Sequence, residues 1–87
     1  MVNPRDVLQR IRWEQNNPRL EKVLIAYLHR GAPDDVAYLR GEDVLHVGRS
    51  FLDLPEGARL PMHRILRIEH DGRTVWVRRA TPAEPNA

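Results

Sequence analysis

The dipeptide Asp71-Gly72 lies between the alternating apolar and polar residues of Leu66–His70 and Arg73–Arg78, and it constrains the fold more than any other feature. A type I′ turn needs positive φ at both central positions, and Asp-Gly between alternating runs is a strong short-range hairpin signal. Pairing His70 with Arg73 predicts the register. Ile68 then faces Val75 and Leu66 faces Val77 on a core side, with Arg67 opposite Trp76 and Glu69 opposite Thr74 on the other. On that second side a guanidinium stacked on an indole is expected between Arg67 and Trp76, contributing about 0.5–1 kcal/mol at an exposed position.

Upstream, the chain reads as one helix and several short strands. Asn3 is a capping residue, Pro4 suits the first helical position, and Asp6 sits where a carboxylate meets the positive end of the helix dipole. The spacing predicts a helix from Pro4 to Arg12, with Val7, Leu8 and Ile11 as its apolar stripe. Asn16-Asn17-Pro18 ends that unit, because a residue before proline resists helical geometry. Glu21 to Arg30 reads as a buried strand, with Val23, Ile25, Tyr27 and His29 on one face and Leu24, Ala26, Leu28 and Arg30 on the other. A turn-rich loop over Gly31-Ala32-Pro33-Asp34-Asp35 leads to a strand at Val36–Arg40, and a further strand is expected from Asp43 to Gly48. Gly31 is expected at positive φ, and Pro55-Glu56-Gly57 is another turn. The expected fold class is α+β: an N-terminal helix packed on a small antiparallel sheet, or partly open barrel, of four to five strands with a C-terminal hairpin.

At 87 residues the chain suits one domain, expected over residues 1–79, with a disordered Pro- and Ala-rich tail at 80–87. It has no cysteine, which removes disulfides and thiolate metal sites and favours a cytoplasmic location. No run of eighteen apolar residues and no leader-like start is present, so neither a membrane span nor secretion is expected. The formal net charge is only +2, yet every basic residue except Lys22 is arginine. Arginine recognises phosphate or carboxylate through a planar fork, although host composition or thermal adaptation explains many such residues equally well.

Position therefore matters more than number. His-Arg occurs twice, at His29-Arg30 and His63-Arg64, each at the edge of an apolar run. Imidazole titrates near neutral pH and guanidinium carries a fixed set of donors, so two such pairs in one place would suit a phosphate. Three separate stretches carry a family resemblance: Tyr27-Leu28-His29-Arg30-Gly31-Ala32-Pro33, Gly48-Arg49-Ser50-Phe51-Leu52, and Leu60-Pro61-Met62-His63-Arg64-Ile65 followed by Asp71-Gly72-Arg73-Thr74-Val75-Trp76. Together they resemble the RNA cyclic-group-end recognition domain over roughly Val7 to Arg78. The resemblance implies a non-catalytic module that recognises RNA ends bearing a 2′,3′-cyclic phosphate. It also implies partners among RNA-processing enzymes such as phosphodiesterases and nucleotidyltransferases. The carried-over positions are Tyr27, His29, Arg30 and Gly31, then Arg49 and Ser50, then Pro61, His63, Arg64 and Ile65. An aromatic residue is common in the family where Met62 stands, which removes a stacking group there.

The residues themselves fit that reading. A cyclic phosphate presents two exocyclic oxygens and one charge, within reach of a guanidinium from Arg30, Arg49 or Arg64 and of donors from His29, His63 or Ser50. Tyr27 is a candidate for stacking a terminal base, or a core residue. Arg30 and Arg64 have a structural alternative as anchors for Asp34, Asp35 or loop carbonyls, and Arg49 and Ser50 as parts of a turn. His46 is expected to face solvent from a strand, and His70 carries no assigned role. Two rival functions remain. His29 and His63 could serve as acid and base of a metal-independent ribonuclease or cyclic phosphodiesterase. Against it, the hydroxyl residue that two-histidine phosphodiesterases carry two places after each histidine is missing here. Alternatively, the sheet could pair with a partner strand as a protein-interaction domain without nucleic-acid binding. No cofactor is expected, and the four histidines offer no metal-ligand spacing, although Asp34 and Asp35 beside His29 could form a weak set.

Overall fold

A computed structural model describes residues 3–78, so the expected tail at 80–87 lies outside the described residues. The helix forms where its signals fall. α1 spans Pro4–Glu14, two residues past the expected end at Arg12. The Asn3 side chain accepts the Asp6 N–H at 2.8 Å, and Pro4, Val7, Leu8 and Ile11 are buried. Nothing breaks the helix before Asn16, which adopts left-handed backbone at φ 52°.

Among the described residues seven strands follow: β1 Val23–Leu28, β2 Val36–Arg40, β3 His46–Val47, β4 Phe51–Asp53, β5 Arg59–Pro61, β6 Ile65–His70 and β7 Arg73–Val77. They build two antiparallel sheets, in the orders β2-β1-β6-β7 and β3-β4-β5, instead of one sheet of four to five strands, and no barrel closes. The α+β class, the amino-terminal helix and the carboxy-terminal hairpin are as the sequence suggests.

The strand expected from Asp43 to Gly48 is largely absent. Gly41–Asp43 forms a 3₁₀ turn and only His46–Val47 pairs. Gly41 is the reason: a Cβ there would lie 2.4 Å from the Leu20 carbonyl oxygen and 2.8 Å from the Val23 Cβ. Backbone meets backbone at this point, and the chain turns over the start of β1 before it can extend.

The hairpin keeps its expected turn, with Asp71 at φ 56° and Gly72 at φ 83°. His70 pairs with Arg73 and Glu69 with Thr74, but the register then shifts, so Ile68 faces Trp76 and Arg67 faces Val77. Val75 is the extra residue of this bulge. The bulge turns Trp76 toward the core and leaves Val75 and Val77 at 44% and 57% exposure. Burying an indole removes more apolar surface from water than burying a valine, which favours the shifted register. The expected Arg67–Trp76 stack is therefore not formed. Arg78 lies over the Trp76 ring at 5.2 Å, while Arg67 donates to Glu69 at 2.9 Å. Tyr38 and Arg67 flank Ala26 on neighbouring strands. The Tyr38 and Glu69 contacts raise the Arg67 guanidinium above its ordinary range.

One buried cluster joins all three parts. It takes Val7, Leu8 and Ile11 from the helix, Ile25, Ile65 and Ile68 from the larger sheet, and Val47, Leu52 and Leu60 from the smaller one. The smaller sheet's strands are two or three residues long and would not hold together without this shared core.

Candidate nucleic-acid end site

Each of the three motifs lies on a tight turn, and each turn is closed by backbone hydrogen bonds. His29 follows β1 directly, and its N–H donates to the Asp35 carbonyl at 2.8 Å. The Ala32 N–H returns to the His29 carbonyl at 3.2 Å, and the Gly31 N–H reaches the Asp35 carboxylate at 3.3 Å. Gly31 sits at φ 101°, where a side chain would be strained, as its role in the turn requires. Asp35 thus organises the loop through backbone and carboxylate together. Arg30 is not the anchor for the aspartates; it is exposed and forms no ion pair among the described residues.

Arg49 and Ser50 form the two-residue tip between β3 and β4. The Gly48 N–H donates to the Phe51 carbonyl at 2.9 Å, and a Cβ on Gly48 would sit 2.9 Å from that same oxygen. Glycine is needed for the tip to close, and closure leaves both tip side chains exposed.

Met62–Arg64 makes a 3₁₀ turn between β5 and β6, with His63 and Arg64 exposed. Arg78 clamps this turn from outside the motif. Its Nε donates to the Ile65 carbonyl at 2.8 Å and its Nη2 to the Met62 carbonyl at 3.1 Å, so the two acceptors bracket His63-Arg64. Trp76 supports the guanidinium from one face. Arg78 is a positioning residue that sequence reading missed, because nothing in its spacing points to carbonyls 13 and 16 residues earlier.

Two links relate the motifs to one another. Tyr27 pairs with Ile65, so His29-Arg30 leaves β1 at the end of the sheet where His63-Arg64 enters β6. The Met62 N–H donates to the Ser50 carbonyl at 2.9 Å, which ties the second turn to the third. The backbones of all three motifs therefore meet at one end of the larger sheet. Among the described residues Arg30, Arg49, Arg64, His63 and Ser50 have no side-chain hydrogen bond or ion pair. Tyr27 differs from them: it is half-buried against the core, and its ring meets that of His29 edge-on, with centroids 6.1 Å apart and 73° between planes. Met62 likewise packs against the core.

Exposed guanidinium groups with unoccupied donors beside imidazoles and a hydroxyl can bind an anion through charge-assisted hydrogen bonds. Among the described residues no group of three or more His, Asp or Glu side chains is arranged to hold a metal ion, and no helix is long and apolar enough to cross a membrane.

Comparison with known proteins defines the class. The chain belongs to the family described as the MJ1316 RNA cyclic group end recognition domain, whose profile matches residues 1–78. It is 33% identical over 73 residues to a UPF0248 protein of Archaeoglobus fulgidus, covering 82% of this chain and 99% of that protein. A UPF0248 protein of Methanopyrus kandleri is 34% identical over 57 residues, covering 66% of this chain and 76% of the relative. One of Methanococcus vannielii is 33% identical over 66 residues, with coverage of 76% and 77%. No solved structure matches. The resemblance carried by the three motifs thus holds at the level of the family.

Proposed function

We propose that this domain is a non-catalytic reader of RNA ends, binding a terminal 2′,3′-cyclic phosphate or related phosphorylated end through Arg30, Arg49, Arg64, His29, His63 and Ser50. The observation that carries the reading is the meeting of three exposed, cationic turns at one sheet end, in a chain whose family is described by recognition of RNA cyclic group ends. A guanidinium fork spans the two exocyclic oxygens of a cyclic phosphate, and hydroxyl or imidazole donors fill the remaining lone pairs. Tyr27 acts in this reading as the wall that orients His29. A reader without chemistry of its own works beside an enzyme that forms or consumes the cyclic group, and we assign that role to RNA-processing partners such as phosphodiesterases or nucleotidyltransferases.

The test is a titration with one oligoribonucleotide ending in 2′,3′-cyclic phosphate, 3′-phosphate or 3′-hydroxyl. The cyclic end should bind most tightly. Equal affinity for all three would overturn end recognition, and conversion of the cyclic end to a monophosphate would replace the reader with an enzyme.

A further inference from the structure

The end site as described binds phosphate but offers no open surface for the base attached to it. The stacking candidate, Tyr27, is edge-on to His29 against the core, and Met62, where the family commonly has an aromatic, packs against the core. An aromatic ring does stand open beside the second and third motifs. Phe51 follows Ser50 directly, pairs with Pro61 two residues before His63, and is 41% exposed although phenylalanine is ordinarily buried.

Its neighbours hold it in place. Leu52 and Leu60 point into the core, so the alternation of β4 and β5 sends Phe51, Asp53 and Arg59 to the outer face. There the Arg59 guanidinium lies 5.7 Å from the centre of the Phe51 ring, diagonally across the two strands. Asp53 fixes that guanidinium at 3.3 Å and also receives His46 at 3.5 Å. The result is a ring next to a planar cation that a carboxylate orients, with the ring one residue from the Arg49-Ser50 tip. A stacked nucleobase requires such a surface: every base presents a π face, and both aromatic rings and guanidinium planes accept it.

We infer that Phe51, with Arg59 positioned by Asp53, is a stacking subsite for the nucleobase adjoining the bound RNA end. The inference rests on the end-recognition reading and extends it to a second chemical group of the same ligand. The ring lies one residue from Ser50, so a phosphate held at the tip and a base laid on Phe51 belong to one terminal nucleotide. Stacking does not read hydrogen-bonding edges, so the subsite favours large bases over small ones without selecting a sequence.

The test uses the full chain and oligoribonucleotides identical except at the last nucleotide, which is adenosine, uridine or an abasic ribose, all closed as the 2′,3′-cyclic phosphate. Affinity should fall in the order adenosine, uridine, abasic, with roughly tenfold or more between the extremes. Phe51→Leu keeps an apolar residue at an outward position and should remove that base dependence while leaving the abasic end bound as before. Proton resonances of the terminal adenine should shift upfield on binding to the wild type and not to Phe51→Leu, while unchanged binding of the abasic end by that variant shows that its fold is intact. Arg59→Gln should weaken the base dependence and leave the cyclic-end preference intact. Wild-type affinity indifferent to the terminal base, or base dependence that survives Phe51→Leu, would overturn the inference. Repeating the base series on 3′-hydroxyl ends separates the two proposals. If the cyclic group proves irrelevant but base dependence persists and needs Phe51, the end reading fails and the stacking subsite stands.

Discussion

The two ends of the four-stranded sheet use the same residue types to different effect. At the end where β1 begins, Lys22, Arg40 and Arg73 are interleaved with Glu21, Glu42, Asp43, Glu69 and Asp71. The chain there is also stitched to itself: the Asp71 N–H donates to the Lys22 carbonyl at 2.8 Å, and the Asn17 side chain brackets the backbone of Glu21 at 2.8 and 2.9 Å. At the end where β1 finishes, Arg30, Arg49 and Arg64 stand with His29 and His63. The acid that organises that loop, Asp35, gives its carboxylate to a backbone N–H. At the first end acids outnumber bases, and at the other no carboxylate pairs with the three arginines among the described residues. Arg78, committed to two carbonyls, is thereby distinguished from Arg30, Arg49 and Arg64, whose side chains make no hydrogen bond or ion pair among the described residues.

The severest way to break this comparison is to remove what both ends share. Ile65 is fully buried at the junction of the sheets, and Ile65→Ala should cost about 2–5 kcal/mol, lowering the midpoint of a urea transition and loosening both ends together. Loss of order at one end only would show that the sheets do not fold as one unit. Arg64→Ala should weaken binding of the cyclic-phosphate oligonucleotide by roughly 10- to 100-fold, about the 1.5–3 kcal/mol of a charged hydrogen bond, with an unchanged melting temperature. Arg73→Ala at the opposite end should leave binding within about twofold, and equal effects from the two variants would erase the distinction between the ends. Arg78→Lys preserves charge but not the fork that spans two carbonyls. It should weaken binding by several-fold through the His63-Arg64 turn while the unfolding midpoint moves little, and Arg78→Ala should do more of both. The smallest effect belongs to Asn3→Ala, which should cost about 1 kcal/mol of stability through the lost helix cap and leave affinity unchanged in the same titration.

Legibility in the sequence followed the range of the interactions. The Asn3 cap, the Val7–Leu8–Ile11 stripe, β2 at Val36–Arg40, the positive φ of Gly31 and the Asp71-Gly72 turn each depend on a few neighbouring residues, and each is found where the sequence places it. The hairpin register failed two pairs from its turn. Whether Trp76 or Val75 faces inward depends on what the core can accommodate, and local alternation does not encode that. The same holds at Gly41, whose contact with Leu20 lies 21 residues back in the chain and turns an expected strand into a 3₁₀ turn. At the candidate site, the motif residues were visible as unusual pairs and as a family pattern. Asp35 as loop organiser, Arg78 as clamp and Phe51 as open ring were not visible.

By itself, then, the sequence determined the class of fold, the turn positions, the surplus of arginine and the three motifs, because capping, turn geometry and side-chain chemistry are local or intrinsic properties. Tertiary structure decided which face Trp76 takes, that the strands divide into two sheets, that Ser50 is bonded to Met62, and which arginines the fold leaves open. Those outcomes depend on competition for a small shared core and for backbone carbonyls far apart in the chain, and that competition is resolved only when the chain is closed on itself.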